Sequence, residues 1–113
     1  MEQTANRRKT SRHRLNCPVR IREGGVAASL NASVSDISLQ GCYIETLQPF
    51  PLGTRLELDI STSDGNIRAG GTVCSVHPRT GMGISFDQID EEDRARLIFV
   101  VKDREERGVG ESF

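Results

Sequence analysis

A chain of 113 residues and 12.5 kDa, 35% hydrophobic and without tryptophan, can bury one small core and fits a single domain. No run approaches the roughly 20 apolar residues of a spanning helix. The polar start, Met1 to Asn6, lacks the apolar stretch of a secretory signal, so a cytoplasmic protein without membrane insertion is expected. The formal charge of −1 hides a division. Residues 1–22 carry seven basic side chains against Glu2 alone, a net +6, while the other 91 hold 8 basic and 15 acidic ones, a net −7. Lys9 and Lys102 are the only lysines among the 15 basic residues. Arginine's planar fork meets phosphate or guanine with two parallel hydrogen bonds, so this bias points to an anionic partner. Cys17, Cys42 and Cys74 are an odd number with no C-x-x-C pair, which argues against a disulfide framework or zinc site and for a reducing compartment.

Residues 1–14 show no apolar periodicity and are expected to lack fixed structure when nothing binds them. Alternation begins around Pro18-Val19-Arg20-Ile21-Arg22, and Gly24-Gly25 marks a turn. From Val26 to Val34 the apolar residues fall on even numbers, the period of a half-buried strand, which Asp36 to Gly41 then interrupts. Cys42 to Leu47 resumes an extended pattern that Pro49-Phe50-Pro51-Leu52-Gly53 closes. Leu56, Leu58 and Ile60 alternate cleanly with charged neighbours, and Asp64-Gly65 predicts a hairpin. Ile67 to Val76 continues an odd-numbered apolar face in which Gly70-Gly71 marks a bulge or bend. Met82, Ile84 and Phe86 form a last strand after a turn at Pro78 to Gly81. Asp90 can cap a short helix with an acidic first turn, carrying Leu97, Ile98 and Val101 on one face. Six short strands followed by one helix predict an all-β fold, a small six-stranded antiparallel barrel with a C-terminal helix. Residues 1–14 form its basic arm, 15–101 the barrel and helix, and 102–113 a charged tail.

Two motifs carry the functional information: Arg8-Lys9-Thr10-Ser11-Arg12, and Asp36-Ile37-Ser38-Leu39-Gln40-Gly41. In this order and 24 residues apart, ahead of a strand-rich body, they resemble the R-x-x-x-R and [D/N]-x-S-x-x-G pattern of the PilZ domain family. Leu15 to Ile21 is similar to that family's first strand, Gly53 to Leu58 to its G-t-x-h-x-L segment, and Gly81 to Phe86 to its closing strand. The resemblance covers roughly residues 7 to 101. It implies a barrel that binds cyclic di-GMP, a bacterial second messenger, without chemistry on it. No catalytic residue, metal or cofactor is then expected. The residues themselves suit such a ligand. Arg8 and Arg12 offer forks to its phosphates or to a guanine O6/N7 edge. An ionised Asp36 matches the N1–H and N2–H₂ donors of guanine. Ser38 adds a hydroxyl, and Gly41 allows either positive φ or close approach to a purine face. Arg7 is similar to the extra arginine that often precedes the first motif arginine, in a looser match. Tyr43 and the phenylalanines are the only aromatics, so base stacking is expected from arginine.

Blander roles stand beside these. Arg8 and Arg12 could simply solubilise a tail, and Asp36 and Ser38 could shape a turn. Cys42 and Cys74 are expected as core hydrophobes, and His13 and His77 have no partner at metal-ligand spacing. Two other functions are open: an adaptor of the same family that contacts protein but not nucleotide, and a small nucleic-acid-binding barrel. The second would want a basic or aromatic face on the body, whereas the body here is acidic. The favoured expectation is a cyclic di-GMP receptor that signals by ordering its arm and passes its output to a downstream protein partner.

Overall fold

The computed structural model describes residues 13–24 and 29–111, with side chains as far as residue 106. Six strands close into an antiparallel barrel: β1 (His13–Glu23), β2 (Leu30–Ile37), β3 (Gly41–Glu45), β4 (Arg55–Thr62), β5 (Gly65–His77) and β6 (Gly81–Gln88). Their order around the barrel is β1-β2-β3-β6-β5-β4, with β4 pairing back onto β1. Helix α1 (Glu91–Glu111) follows. The alternation legible in the sequence sets the interior. Leu15, Cys17, Val19 and Ile21 of β1 point inward, as do Leu56, Leu58 and Ile60 of β4 and Met82 and Ile84 of β6. Each such aliphatic side chain contributes about 1.5–3 kcal/mol by leaving water. Leu97, Val100 and Val101 of the helix join this core, and α1 packs against β5 and β1.

Four departures from strict pairing shape the sheet. Between Arg14↔Asp36 and Cys17↔Val34, β1 advances three residues while β2 advances two. Between Val34↔Ile44 and Asp36↔Tyr43, β2 carries one more residue than β3. This second bulge lets Val34 and Ile37, three apart, both face the core. The sequence reading ended that strand before Asp36; instead β2 runs through Asp36 and Ile37, and only Ser38 to Gln40 separate it from β3. The bulge anticipated at Gly70-Gly71 is present, with the additional residue on β6: Gly70 pairs with Gln88 and Gly71 with Phe86. A further bulge lies between Val73 and Ser75. Cys17 and Cys42 are buried, but Cys74 lies on the even-numbered outer face of β5 and is exposed, so it is not the core hydrophobe expected of it.

The hairpin forms where Asp64-Gly65 placed it. Thr62 pairs with Gly65, which has φ +120°, and the Thr62 hydroxyl accepts from the Asp64 amide at 3.1 Å. Two boundaries differ from expectation. β1 already begins at His13, inside the segment assigned to the arm, because it continues the pairing with β2 up to Ile37. The helix does not end near residue 101 but runs to Glu111, through the stretch expected to be a tail. Asp90 stands at its N-cap, where its carbonyl accepts the first helical hydrogen bond from Arg94 at 2.8 Å. Among the described residues, no helix is long and apolar enough to cross a membrane.

Candidate functional site

The motif Asp36 to Gly41 spans the end of β2, a three-residue connection and the start of β3. Ser38 organises that connection. Its hydroxyl accepts from the amides of Gln40 at 3.1 Å and Gly41 at 3.2 Å, and its own amide donates to the Gly41 carbonyl at 2.8 Å. With 6% of its surface exposed, it is the one buried polar residue among those described. A serine here satisfies amides that would otherwise lie buried without acceptors. Its hydroxyl is therefore already engaged in holding the turn.

Gly41 is required for a different reason from either one anticipated. Its φ is not positive; among the described glycines only Gly53 and Gly65 have that conformation. A Cβ at Gly41 would lie 2.1 Å from the Ile84 carbonyl oxygen of β6, so the close approach is to a neighbouring strand. The Phe86 amide also donates to the Gln40 carbonyl at 2.8 Å, fastening the connection to the end of β6.

Asp36 is half-buried and faces away from the core. Register sets its neighbours: Arg14 of β1 on one side and Tyr43 of β3 on the other. Tyr43 in turn pairs with Gly83 of β6, and Gly83 with Ser75 of β5. One row therefore crosses five strands, Arg14–Asp36–Tyr43–Gly83–Ser75. His13, the residue that follows Arg12, pairs with Ile37 in the adjacent row. Arg7, Arg8 and Arg12 lie outside the described residues. Arg14 and Tyr43 were not singled out from the sequence. Their outward parity is legible, but their alignment with Asp36 depends on both bulges.

Tyr43 is held in place. Its hydroxyl and His77 Nδ1 are hydrogen-bonded at 3.0 Å, with the rings 5.8 Å apart. A Cβ on Gly81 would meet Tyr43 Cε2 at 2.6 Å, so the ring lies against bare β6 backbone.

Two clefts open on the surface. One of about 670 Å³ lies beside the motif connection, lined by Leu39, Gln40, Phe86, Asp87 and Arg94 among others. At its rim Arg55 hydrogen-bonds Asp87 and, at 2.8 Å, Gln88. Partial burial pulls the Asp87 carboxyl upward. Hydrogen bonds from Thr72 and Arg55, with the Arg55 charge, outweigh that and hold it below the ordinary aspartate value. The other cleft, of about 640 Å³, lies over β1, β4 and β5 and mixes arginines with carboxylates. Its Arg22–Glu57 pair is 2.8 Å apart. Among the described residues no group of three or more His, Cys, Asp or Glu could hold a metal.

The model of the PilZ domain family matches residues 6–102. The chain belongs to the PilZ domain family. PilZ domains are typically non-catalytic binding domains. No curated protein matches this one. Among solved structures, the PilZ domain of YcgR from Escherichia coli, determined with c-di-GMP, is similar at a TM-score of 0.74 and 16% identity, over 94% of this chain and 97% of that one. The Bacillus subtilis inhibitor of motility MotI/DgrA is similar at a TM-score of 0.76 and 16% identity, over 88% of this chain. The K. pneumonia MrkH–c-di-GMP complex follows at 0.65 and 18%, over 84% of this chain. The present chain spans about half of the last two proteins, 51% and 50% of their lengths. At such identities the likeness is one of fold.

Proposed function

We propose that this PilZ domain is a receptor for cyclic di-GMP. Arg8 and Arg12, with Arg7 beside them, would grip its phosphates and a guanine O6/N7 edge, and Asp36 would take the guanine N1–H and N2–H₂ donors. Ser38 and Gly41 contribute by fixing the connection that carries Asp36. The observation that carries the reading is the placement of Asp36 on the outer face, one row from His13, where the arginine segment joins the barrel. A ligand lying on Asp36 is then within reach of the residues that precede His13. The YcgR and MrkH structures, which contain c-di-GMP, support the choice of ligand.

Signalling follows from that placement. A nucleotide touching both Asp36 and the arginines draws the segment 7–12 onto the barrel, and the surface so formed is offered to a downstream protein partner. Fixing each backbone residue costs about 1–2 kcal/mol, so a micromolar complex clamps only a handful of them. Amide hydrogen exchange tests this step: added cyclic di-GMP should protect residues 7–12 and leave Leu56 to Ile60 unchanged. Equal protection of 7–12 with and without ligand would remove the switch and leave a preformed site.

A further inference from the structure

We infer that Tyr43 is the base-stacking residue of this site, an aromatic wall against which a guanine lies while Asp36 takes its edge. The inference rests on the functional reading above and changes one part of the sequence analysis, which assigned stacking to arginine.

Tyr43 sits directly across from Asp36 in the β2–β3 register. Opposed residues on one face of an antiparallel pair have Cβ atoms about 4.5–5.5 Å apart. A purine whose edge meets the Asp36 carboxylate therefore overlies the neighbouring position. The ring is on the outer face and half-buried, between the inward-facing Cys42 and Ile44. Its burial comes from the β6 backbone at Gly81 beneath it. Core filling therefore does not explain an aromatic at this position.

The ring is also oriented before any ligand arrives. The bond to His77 Nδ1 fixes its far end, and the β6 backbone supports its flank. Little rotamer freedom is then left to lose when a base stacks on it, which favours binding. The glycines take part in this arrangement, since a side chain at Gly81 would collide with the ring and with the Ile44 carbonyl, 2.4 Å from the added Cβ.

The composition supplies an unusually clean test. Tyr43 is the only tyrosine and there is no tryptophan, so tyrosine emission and the tyrosine ring-proton resonances report this residue alone. The 113-residue chain is titrated with cyclic di-GMP by calorimetry and, with correction for ligand absorbance, by tyrosine emission; ring-proton shifts are recorded in parallel. Expected are quenched emission and shifted ring protons that saturate at the calorimetric stoichiometry. Tyr43→Leu should bind about 5- to 150-fold more weakly, the range for loss of one base–aromatic stack. Tyr43→Phe, which keeps the ring, should stay within about threefold of wild type. Calorimetric binding with unmoved tyrosine signals, or wild-type affinity in a folded Tyr43→Leu protein, would overturn this inference and leave the receptor reading standing. Absence of binding heat from the wild type would overturn both. Should Tyr43→Leu fail to fold, the wild-type emission and ring-proton titrations decide the matter by themselves.

Discussion

Replacing Gly41 by alanine separates a structural role from a ligand role at one motif position. The added methyl would sit 2.1 Å from the Ile84 carbonyl oxygen, 3.2 Å from its carbon and 3.4 Å from Ser85 Cα. Carbon contacts are comfortable at about 3.5–4.0 Å, so β3 and β6 have to part by roughly 1 Å where they meet. The obstacle is backbone on a paired strand, and no side-chain rotation relieves it. Gly41 pairs with Ser85 there, and the Ser38 hydroxyl bonds to the Gly41 amide 3.2 Å away. Overpacking of this kind costs about 1–3 kcal/mol. For a domain of this size that corresponds to a melting temperature lower by roughly 4–12 °C. Urea unfolding of the ligand-free protein, followed by circular dichroism, measures the effect as a lower midpoint at constant slope. A ligand-free Gly41→Ala protein as stable as wild type would show that the glycine is not needed for strand approach.

Ser38→Ala should also destabilise the ligand-free protein, by about 1–3 kcal/mol, because it strips an acceptor from the Gln40 and Gly41 amides; unchanged urea unfolding would contradict this. One thiol of three should react quickly with a disulfide reagent in the folded state, and Cys74→Ser should abolish that phase. Cys74 is exposed, while Cys17 and Cys42 are buried and burial pushes the Cys17 thiol upward against the opposing Arg104 charge. Asp87 has a lowered folded-state value, so its contribution to stability is present above the unfolded aspartate value near pH 4 and is lost as pH falls through the folded one. The stability gap between wild type and Asp87→Asn should accordingly narrow only below about pH 4. Carboxyl resonances should show Asp87 titrating below a typical aspartate, and a typical or raised value would refute the assignment. If Asp36 reads guanine, cyclic di-AMP, which lacks the donor pair, should compete poorly with cyclic di-GMP; equal competition would leave Asp36 only a local role.

The barrel was legible because each strand has one face in the core. The alternation of Leu56, Leu58 and Ile60, or of Met82 and Ile84, requires nothing beyond a period of two. The bulges were harder to see. Val34 and Ile37 break the parity, and from sequence this resembles the end of a strand instead of a displaced register. That one ambiguity hid the continuation of β2 through Asp36, and with it the alignment of Tyr43. Cys74 was misplaced for a different reason: its apolar side chain suggested the core, although its even position puts it opposite the odd-numbered inward face of β5. The motif itself was visible, but the duties of its members were not. Nothing in Ser38 or Gly41 as letters says that one accepts two amides and the other admits the Ile84 carbonyl. The length of the helix was missed because the residues beyond 101 are mostly charged and include glycines, with little apolar periodicity to mark a helix.

In the proposed receptor, cyclic di-GMP is held by the arginine segment and Asp36 together. Calorimetry with the wild type, Arg12→Ala and Asp36→Ala tests this most directly. Saturable binding to the wild type is expected. Each variant should lose about tenfold or more in affinity, the value of one charge-assisted hydrogen bond of about 1.5–3 kcal/mol, with unfolding midpoints close to wild type. No binding to the wild type, or undiminished affinity in both folded variants, would contradict it.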